Sequence, residues 1–123
     1  MTYQLSPIGN EISCVMYDID TKTLSDNNRL EQILVEALRK SNFKILDKVS
    51  HRFQPQGYTL VVLLAESHAA IHTFPEHNSL FFYLYSCRGQ NDGRETFEYL
   101  KQILKPSHID MNERPVIVKS TRP

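Results

Sequence analysis

The sequence predicts an α+β fold, a two-layer sandwich in which a mostly antiparallel sheet carries two helices on one face. Two segments, near residues 30–40 and 93–104, repeat apolar residues at three- and four-residue steps, as amphipathic helices do. Six other segments are short and apolar or rich in β-branched and aromatic residues, and connections of hairpin length join the middle four. The resulting order, β-α-β-β-β-β-α-β, is typical of the two-layer arrangement.

The first third of the chain holds one predicted strand and one predicted helix. Ile12–Tyr17 is short and apolar and predicts a strand, and the polar stretch Asp18–Ser25 predicts a turn. Leu30–Lys40 predicts a helix whose apolar residues share one face: Leu30, Ile33, Leu34, Ala37 and Leu38. Asp26 or Ser25 stands where a side-chain oxygen can accept hydrogen bonds from the free N–H groups of the first turn.

Three strands are predicted in the middle of the chain. Phe43–Phe53 predicts a strand with a polar outer face, and Gln54–Gly57 predicts the turn that follows it. Tyr58–Ala65 is an almost continuous run of apolar residues, which indicates a buried central strand. His68–Phe74 predicts a further strand, which ends at Pro75 because proline cannot donate to a ladder of hydrogen bonds.

The last third of the chain completes the sheet and the helical layer. Leu80–Tyr85 is strongly aromatic and apolar, as expected of a strand that lies under helices. Gly93–Leu104 predicts the second helix, with a shared stripe of Phe97, Leu100, Ile103 and Leu104. Pro115–Lys119 predicts an edge strand. We see no linker and no repeat, so residues 1–123 are expected to form a single domain.

The predicted helices leave the second face of the sheet uncovered, and the chain has few elements left to cover it. A homodimer that packs sheet against sheet would bury that face. The alternative is a monomer whose outer sheet face is polar.

The composition is that of one globular domain, because 41% of the 123 residues are hydrophobic and 23% are charged. Fourteen Lys+Arg balance fourteen Asp+Glu, so no basic surplus favours nucleic acid as a partner. Met1–Asn10 has no signal-peptide pattern, and no stretch approaches the roughly 20 apolar residues that cross a membrane. Since Cys14 and Cys87 could form at most one disulfide, we predict a cytoplasmic protein with free thiols.

One short segment, Ala65–Glu76, brings together a serine, two imidazoles and two carboxylates, which ordinary core strands do not. A zinc site in or after this segment would draw on His68, His72, His77 or Cys87. On a strand the first two histidines lie about 13 Å apart, at roughly 3.3 Å per residue, which is too far for one zinc ion, and no metal is predicted. A hydrolase with Ser67 as nucleophile is also disfavoured, because nothing resembles the strained G-x-S-x-G turn.

Four runs of residues carry a more specific pattern. They are H-R-F-Q-P-Q-G at 51–57, V-V-L-L-A-E-S-H at 61–68, I-H-T-F-P-E at 71–76 and S-C at 86–87. Together they resemble the prokaryotic S-adenosylmethionine decarboxylase family, and the resemblance extends from about residue 9 to about residue 110. The chain departs from the pattern in a stretch that helps line the substrate pocket, where Gly9-Asn10-Glu11 lacks the family histidine and Tyr17-Asp18-Ile19 lacks its Gly-Cys pair. It also departs at three later positions: Thr59 replaces a serine linked to maturation, Tyr83 replaces a frequent acidic residue, and Arg88 separates Cys87 from Gly89.

The resemblance implies that the chain is a proenzyme that makes its own pyruvoyl cofactor by breaking the backbone between Glu66 and Ser67. The Ser67 hydroxyl would attack the Glu66 carbonyl, and elimination and hydrolysis would leave fragments 1–66 and 67–123. His72 matches the family histidine that assists this maturation as an acid or base. Because residues 67 and 72 of a regular strand lie on opposite faces, we predict a bulge or turn near Ser67.

The resemblance also implies the reaction of the mature enzyme, the decarboxylation of S-adenosylmethionine for the synthesis of spermidine and other polyamines. The pyruvoyl group would form a Schiff base with the substrate amine and accept the electrons released as CO₂ leaves. Cys87 matches the thiol that returns a proton to the α-carbon. Phe53 matches an aromatic residue that stacks on adenine, Phe74 a second aromatic wall, and Glu76 the carboxylate that binds the ribose hydroxyls.

Two other functions remain open from the sequence. One is a related pyruvoyl enzyme that decarboxylates ornithine or arginine, in which Glu11 or Asp18 would bind the distal cation of the substrate. The other is an unprocessed, non-catalytic partner that activates a true decarboxylase, although such a partner would need neither Ser67 nor Cys87.

Overall fold

The computed structural model describes residues 7–119, so the ends of the predicted domain, residues 1–6 and 120–123, lie outside the described residues. Its six strands are β1 (Ile8–Tyr17), β2 (Ile45–Arg52), β3 (Tyr58–Leu64), β4 (Ser67–Phe74), β5 (Ser79–Ser86) and β6 (His108–Ile117). Its helices are α1 (Thr21–Ser25), α2 (Asn27–Lys40) and α3 (Arg94–Leu104), and Pro75–His77 forms one 3₁₀ turn between β4 and β5.

The six strands form one antiparallel sheet in the order β2-β3-β4-β5-β1-β6. This confirms the predicted fold class and places the last strand at an edge, as predicted. That strand begins at His108 and not at the predicted Pro115. Its first residues were missed because they are mostly polar and exposed and show no apolar pattern. Pro115 lies opposite Asn10 within the strand, and an edge position tolerates the missing donor.

The helices begin where side chains cap them. Asp26 accepts a hydrogen bond from the N–H of Arg29 over 3.0 Å, so α2 begins at Asn27, three residues before its first apolar residue. Asp20 caps α1 in the same way, through the N–H of Thr23. The predicted turn at Asp18–Ser25 is therefore wrong in its second half, which forms this short additional helix.

A single hydrophobic core lies between the helices and one face of the sheet. Alternate strand residues and the apolar stripes of α2 and α3 belong to the same buried cluster, and its large fully buried members include Ile12, Met16, Leu34, Leu38, Leu60, Leu64, Ile71, Phe82 and Leu84. In α3 the buried stripe uses Thr96 instead of Ile103, which is exposed. Gly93 precedes α3 at φ 98°, and a Cβ there would lie 2.7 Å from Leu84, so this close contact requires glycine.

The other face of the sheet, which we call the open face, carries no helix formed by residues 7–119. Most of its side chains are half-buried or exposed and mix polar with apolar groups; Leu63 is 52% exposed and Phe74 is 43% exposed. This is the face that the predicted homodimer would cover. No helix within residues 7–119 is long and apolar enough to span a membrane.

Candidate active site

A tight turn carries the Glu66–Ser67 peptide. Ala65 and Glu66 form a two-residue connection between β3 and β4, whose ends pair Leu64 with Ser67. Glu66 has φ 63°, in the left-handed region that a residue with a Cβ occupies at a cost of about 1–3 kcal/mol. The turn predicted near Ser67 is therefore present, and the residue that supplies the carbonyl of the expected cleavage site holds a strained backbone conformation.

Ser67 and Cys87 meet at the end of the sheet that carries this turn. The backbone N–H of Cys87 donates a hydrogen bond to Ser67 Oγ over 3.0 Å, and Ser67 is only 4% exposed. The Cys87 thiol donates to Glu66 Oε2 over 3.7 Å. We call Glu66, Ser67 and Cys87 the serine end of the sheet. The hydroxyl expected to attack is thus held by a backbone donor beside its target peptide.

The residues predicted to bind substrate lie at the opposite end of the sheet. Phe53 is 49% exposed and lines a cavity of about 230 Å³ between the β2–β3 loop and α1. Glu76 accepts a hydrogen bond from the Gln56 amide over 3.3 Å, while Phe74 is exposed on the open face and does not line that cavity. The cavity that Phe53 lines therefore contains neither Phe74 nor Glu76.

His72 lies near these residues and not beside Ser67. Its Nδ1 is 2.9 Å from Thr59 Oγ1, directly across the β3–β4 pair, and its ring packs against Phe81. Thr59 therefore keeps the hydroxyl that the family pattern places there. We call Phe53, His72, Phe74 and Glu76 the aromatic end of the sheet.

The two ends are far apart within one chain. Strand β4 pairs regularly with β3 from Ser67 to His72, so the two residues lie on opposite faces of the sheet. Five residues at roughly 3.3 Å each separate them by about 16 Å, and Phe74 lies about 23 Å from Ser67 by the same measure. The predicted turn near Ser67 precedes the strand and does not bring Ser67 and His72 together.

A polar cluster on the open face involves Glu11, which was a candidate partner for a distal cation. Glu11 accepts hydrogen bonds from Tyr83 over 2.8 Å and from Arg114 over 3.1 Å, and these two groups hold the pKa of Glu11 below its ordinary value. Burial, together with the hydrogen bond to Glu11, raises the pKa of Tyr83 to about 12. The other candidate, Asp18, accepts a hydrogen bond from the Ser107 hydroxyl. Both carboxylates are therefore already engaged.

Sequence reasoning did not assign a role to the loop that follows Cys87. Arg88 and Asp92 pair there, and the Ser86 hydroxyl donates to Asp92. The only signal in the sequence was that Arg88 departs from the family pattern. Within residues 7–119 no three His, Cys, Asp or Glu side chains come together as metal ligands.

The chain is similar to known proteins over most of its length. The sequence pattern of the family described as S-adenosylmethionine decarboxylase matches residues 10–115. The S-adenosylmethionine decarboxylase proenzyme of Sulfolobus acidocaldarius is 35% identical over 106 residues, which cover 86% of each chain. The S-adenosylmethionine decarboxylase proenzyme 2 of Halalkalibacterium halodurans is 30% identical over 111 residues, 90% of this chain and 87% of that one.

Solved structures show the same relationship in three dimensions. The crystal structure of the adenosylmethionine decarboxylase from Aquifex aeolicus superimposes with a TM-score of 0.85, over 96% of this chain and 98% of that one, at 26% identity. The shared fold therefore extends over nearly the whole of both chains. With a family pattern that covers most of its length and a shared fold, the chain belongs to the S-adenosylmethionine decarboxylase family.

Proposed function

We propose that this chain is a proenzyme that cleaves itself between Glu66 and Ser67 and then decarboxylates S-adenosylmethionine, in the cytoplasm, for the synthesis of spermidine and other polyamines. The observation that carries the proposal is the serine end itself: a strained Glu66 peptide lies beside a buried hydroxyl held by the N–H of Cys87. The two relatives are named as S-adenosylmethionine decarboxylase proenzymes, which supports the same function. The buried, unpaired thiols of Cys14 and Cys87 suit a reducing compartment.

The bonds that break and form in the maturation belong to Glu66, Ser67 and one water molecule. Ser67 Oγ attacks the Glu66 carbonyl carbon, the peptide C–N bond breaks, and an ester joins the two residues. Loss of the Ser67 α-proton breaks the Cβ–Oγ bond, which leaves Glu66 as a carboxylate and residue 67 as dehydroalanine. Water then displaces ammonia from the tautomer of that residue and leaves a pyruvoyl group.

The surroundings of Ser67 fit this sequence of reactions. The left-handed Glu66 conformation raises the energy of the starting peptide, and the fixed hydroxyl reduces the freedom lost on attack. When the ester breaks, Ser67 Oγ leaves as part of the new main-chain carboxylate of Glu66. The Cys87 N–H donates to that oxygen, so it stabilises the negative charge that develops there. Residue 67 therefore suits a pyruvoyl group, which would supply the electron sink for decarboxylation.

Cys87 is positioned to act after CO₂ leaves. In the uncleaved chain its thiol donates to the side-chain carboxylate of Glu66, beside residue 67. Once the substrate α-carbon lies at residue 67, the thiol can give that carbon its proton. We infer that Cys87 Sγ is the general acid of turnover, whereas only its backbone N–H acts during maturation.

The aromatic end suits S-adenosylmethionine better than a short amino acid. Phe53 and Phe74 offer exposed aromatic surface for a base, and Glu76 offers a carboxylate for ribose hydroxyls. Ornithine and arginine would need a free carboxylate for their distal cation. Since Glu11 is already bound by Tyr83 and Arg114, it is not free for that role.

The separation of the two ends supports a homodimer. If two copies pack their open faces together with their strands running in opposite directions, the serine end of one copy lies over the aromatic end of the other. His72 of a second copy would then serve the Glu66–Ser67 peptide that it cannot reach in its own chain. The exposed Leu63 and Phe74 on the open face would be buried by the same contact.

Denaturing mass spectrometry tests the self-cleavage. Purified protein is expected to contain fragments 1–66 and 67–123, the second with a pyruvoyl group at its start, and Ser67→Ala is expected to stay whole because it has no attacking oxygen. Thr73→Ala, which removes a hydroxyl elsewhere on β4, should still be cleaved. A wild-type chain that remains intact through long incubation would reject the proposal.

The substrate is tested by release of CO₂ from S-adenosylmethionine, ornithine and arginine, measured side by side with the same mature enzyme. We expect S-adenosylmethionine to be preferred, and Phe53→Ala and Glu76→Gln to raise its KM. Clear preference for ornithine or arginine would reject this substrate and leave the pyruvoyl mechanism standing.

A further inference from the structure

Arg88, the residue after Cys87, ties the loop that follows β5 to the end of helix α2. Its guanidinium donates to the backbone carbonyls of Ser41 and Asn42 over 2.9 Å and 3.1 Å. The same group lies over the ring of Phe43, 3.6 Å from its centre. A cation is favoured at this place, because the last carbonyls of a helix have no partners within the helix and carry partial negative charge.

The loop is also closed on itself. Arg88 forms a forked pair with Asp92, with Nε at 2.8 Å from one carboxylate oxygen and Nη2 at 3.4 Å from the other. Ser86, which is fully buried, donates to Asp92 and accepts from the backbone N–H of Arg88 over 3.1 Å. Cys87 lies between Ser86 and Arg88, so both of its neighbours in the chain are held in place.

Cys87 links this fixed loop to Ser67, the serine expected to react. Its N–H reaches Ser67 Oγ over 3.0 Å, and no other described group hydrogen-bonds that oxygen. We propose that Arg88 is a positioning residue for self-cleavage: it anchors the Cys87 loop to helix α2 and so holds the Cys87 N–H on the attacking oxygen of Ser67. The inference rests on the proposed function and adds a residue that lies outside the family pattern.

An arginine is needed for this arrangement. Its planar fork reaches two backbone carbonyls just past the end of α2 and one carboxylate at once, and its flat face stacks on Phe43. A lysine would keep the charge but has a single nitrogen, so it could satisfy only part of this set. Arg88→Lys is therefore the matched conservative variant, expected to lie between the wild type and Arg88→Ala.

The first measurement is the rate of self-cleavage after cell-free synthesis, followed by denaturing mass spectrometry. We expect Arg88→Ala to cleave about 10- to 100-fold more slowly than the wild type, because a misplaced donor loosens the attack geometry. Arg94→Ala is the control, since it removes a nearby arginine that pairs with Glu113 and not with the Cys87 loop. It is expected to cleave at the wild-type rate.

The second measurement is the alkylation rate of the Cys87 thiol in an uncleaved Ser67→Ala background, located by peptide mapping. Cys87 is only 8% exposed, so release of its loop by Arg88→Ala should speed its alkylation, and Arg94→Ala should not. An unchanged alkylation rate, or equal slowing of cleavage by both arginine variants, would overturn the proposal. If Arg88→Ala does not fold, the Arg88→Lys variant decides by the same two measurements. Absence of cleavage in the wild type would reject the proposed function, while the alkylation rates would still test the anchor.

Discussion

The backbone N–H of Cys87 donates to Ser67 Oγ over 3.0 Å, whereas the Cys87 thiol points to Glu66. We therefore expect the backbone N–H of Cys87 to act in self-cleavage and its thiol to act in the later decarboxylation. Cys87→Ala keeps the backbone donor, so it should self-cleave at close to the wild-type rate. It loses the proton donor of turnover, so kcat should fall by about 10²- to 10⁴-fold. Fragment analysis and CO₂ release measure the two effects separately.

Cys14→Ala is the control for that variant. Cys14 is buried in the core, and burial raises the pKa of its thiol to about 12, so we expect it to take no part in the proton transfer. Its removal should leave both cleavage and turnover in place. Normal turnover by Cys87→Ala, with the proton correctly returned to the product, would show that another group is the acid.

The strained conformation of Glu66 is expected to favour cleavage. In the uncleavable Ser67→Ala background, Glu66→Gly should stabilise the fold by about 1 kcal/mol, because glycine adopts a positive φ without the penalty of a Cβ. With Ser67 present, the same change should slow cleavage. Thermal unfolding and a time course of fragment formation measure the two effects.

Lys105→Gly is the matched control for backbone strain. Lys105 ends α3 at φ 50° and lies away from the serine end, so glycine should stabilise the fold there without altering cleavage. If Glu66→Gly were stabilising and yet cleaved as fast as the wild type, the strain at Glu66 would have no part in the reaction.

The distance between Ser67 and His72 predicts complementation between copies. Ser67→Ala cannot cleave itself, and His72→Ala lacks the acid or base that its partner's peptide would need. Co-expression of the two should give mixed dimers in which the Ser67→Ala copy supplies His72, so the His72→Ala chain is cleaved. Mass spectrometry distinguishes the chains by their masses. Cleavage of His72→Ala at the wild-type rate on its own would remove the role of this histidine, and no rescue in mixed dimers would argue against the arrangement.

The Glu11–Tyr83 pair predicts how stability depends on alkaline pH. Burial and the hydrogen bond to Glu11 raise the pKa of Tyr83 from 10.0 to about 12 in the folded chain. The unfolded chain therefore loses this proton first, and the stabilising contribution, fully present below pH 10, is lost as pH rises towards 12. In the Ser67→Ala background, Tyr83→Phe should make the fall in Tm between pH 10 and pH 12 shallower. Parallel curves for the two proteins would contradict the shift.

The main elements of the fold could be predicted because their signals are local. The apolar period of Leu30–Lys40 indicated α2, and the structure added only its first turn, from the Asp26 cap. Helix α1 and the first residues of β6 were missed for a shared reason. The five residues of α1 bury only Leu24, and His108–Arg114 lies at an edge with most of its side chains in water, so neither shows a periodic pattern.

The sequence by itself determined which residues could react, because Glu66, Ser67 and Cys87 stand at spacings that match the family pattern. Only the tertiary structure decided which of them meet. The antiparallel pairing of β4 with β5 brings Cys87 back to Ser67 although twenty residues separate them. The same regular strand carries His72 away to the other face and the other end, because side chains alternate every residue and each residue adds about 3.3 Å. Spacing along the chain cannot show such a separation, since it depends on the strand register and on where the turn lies.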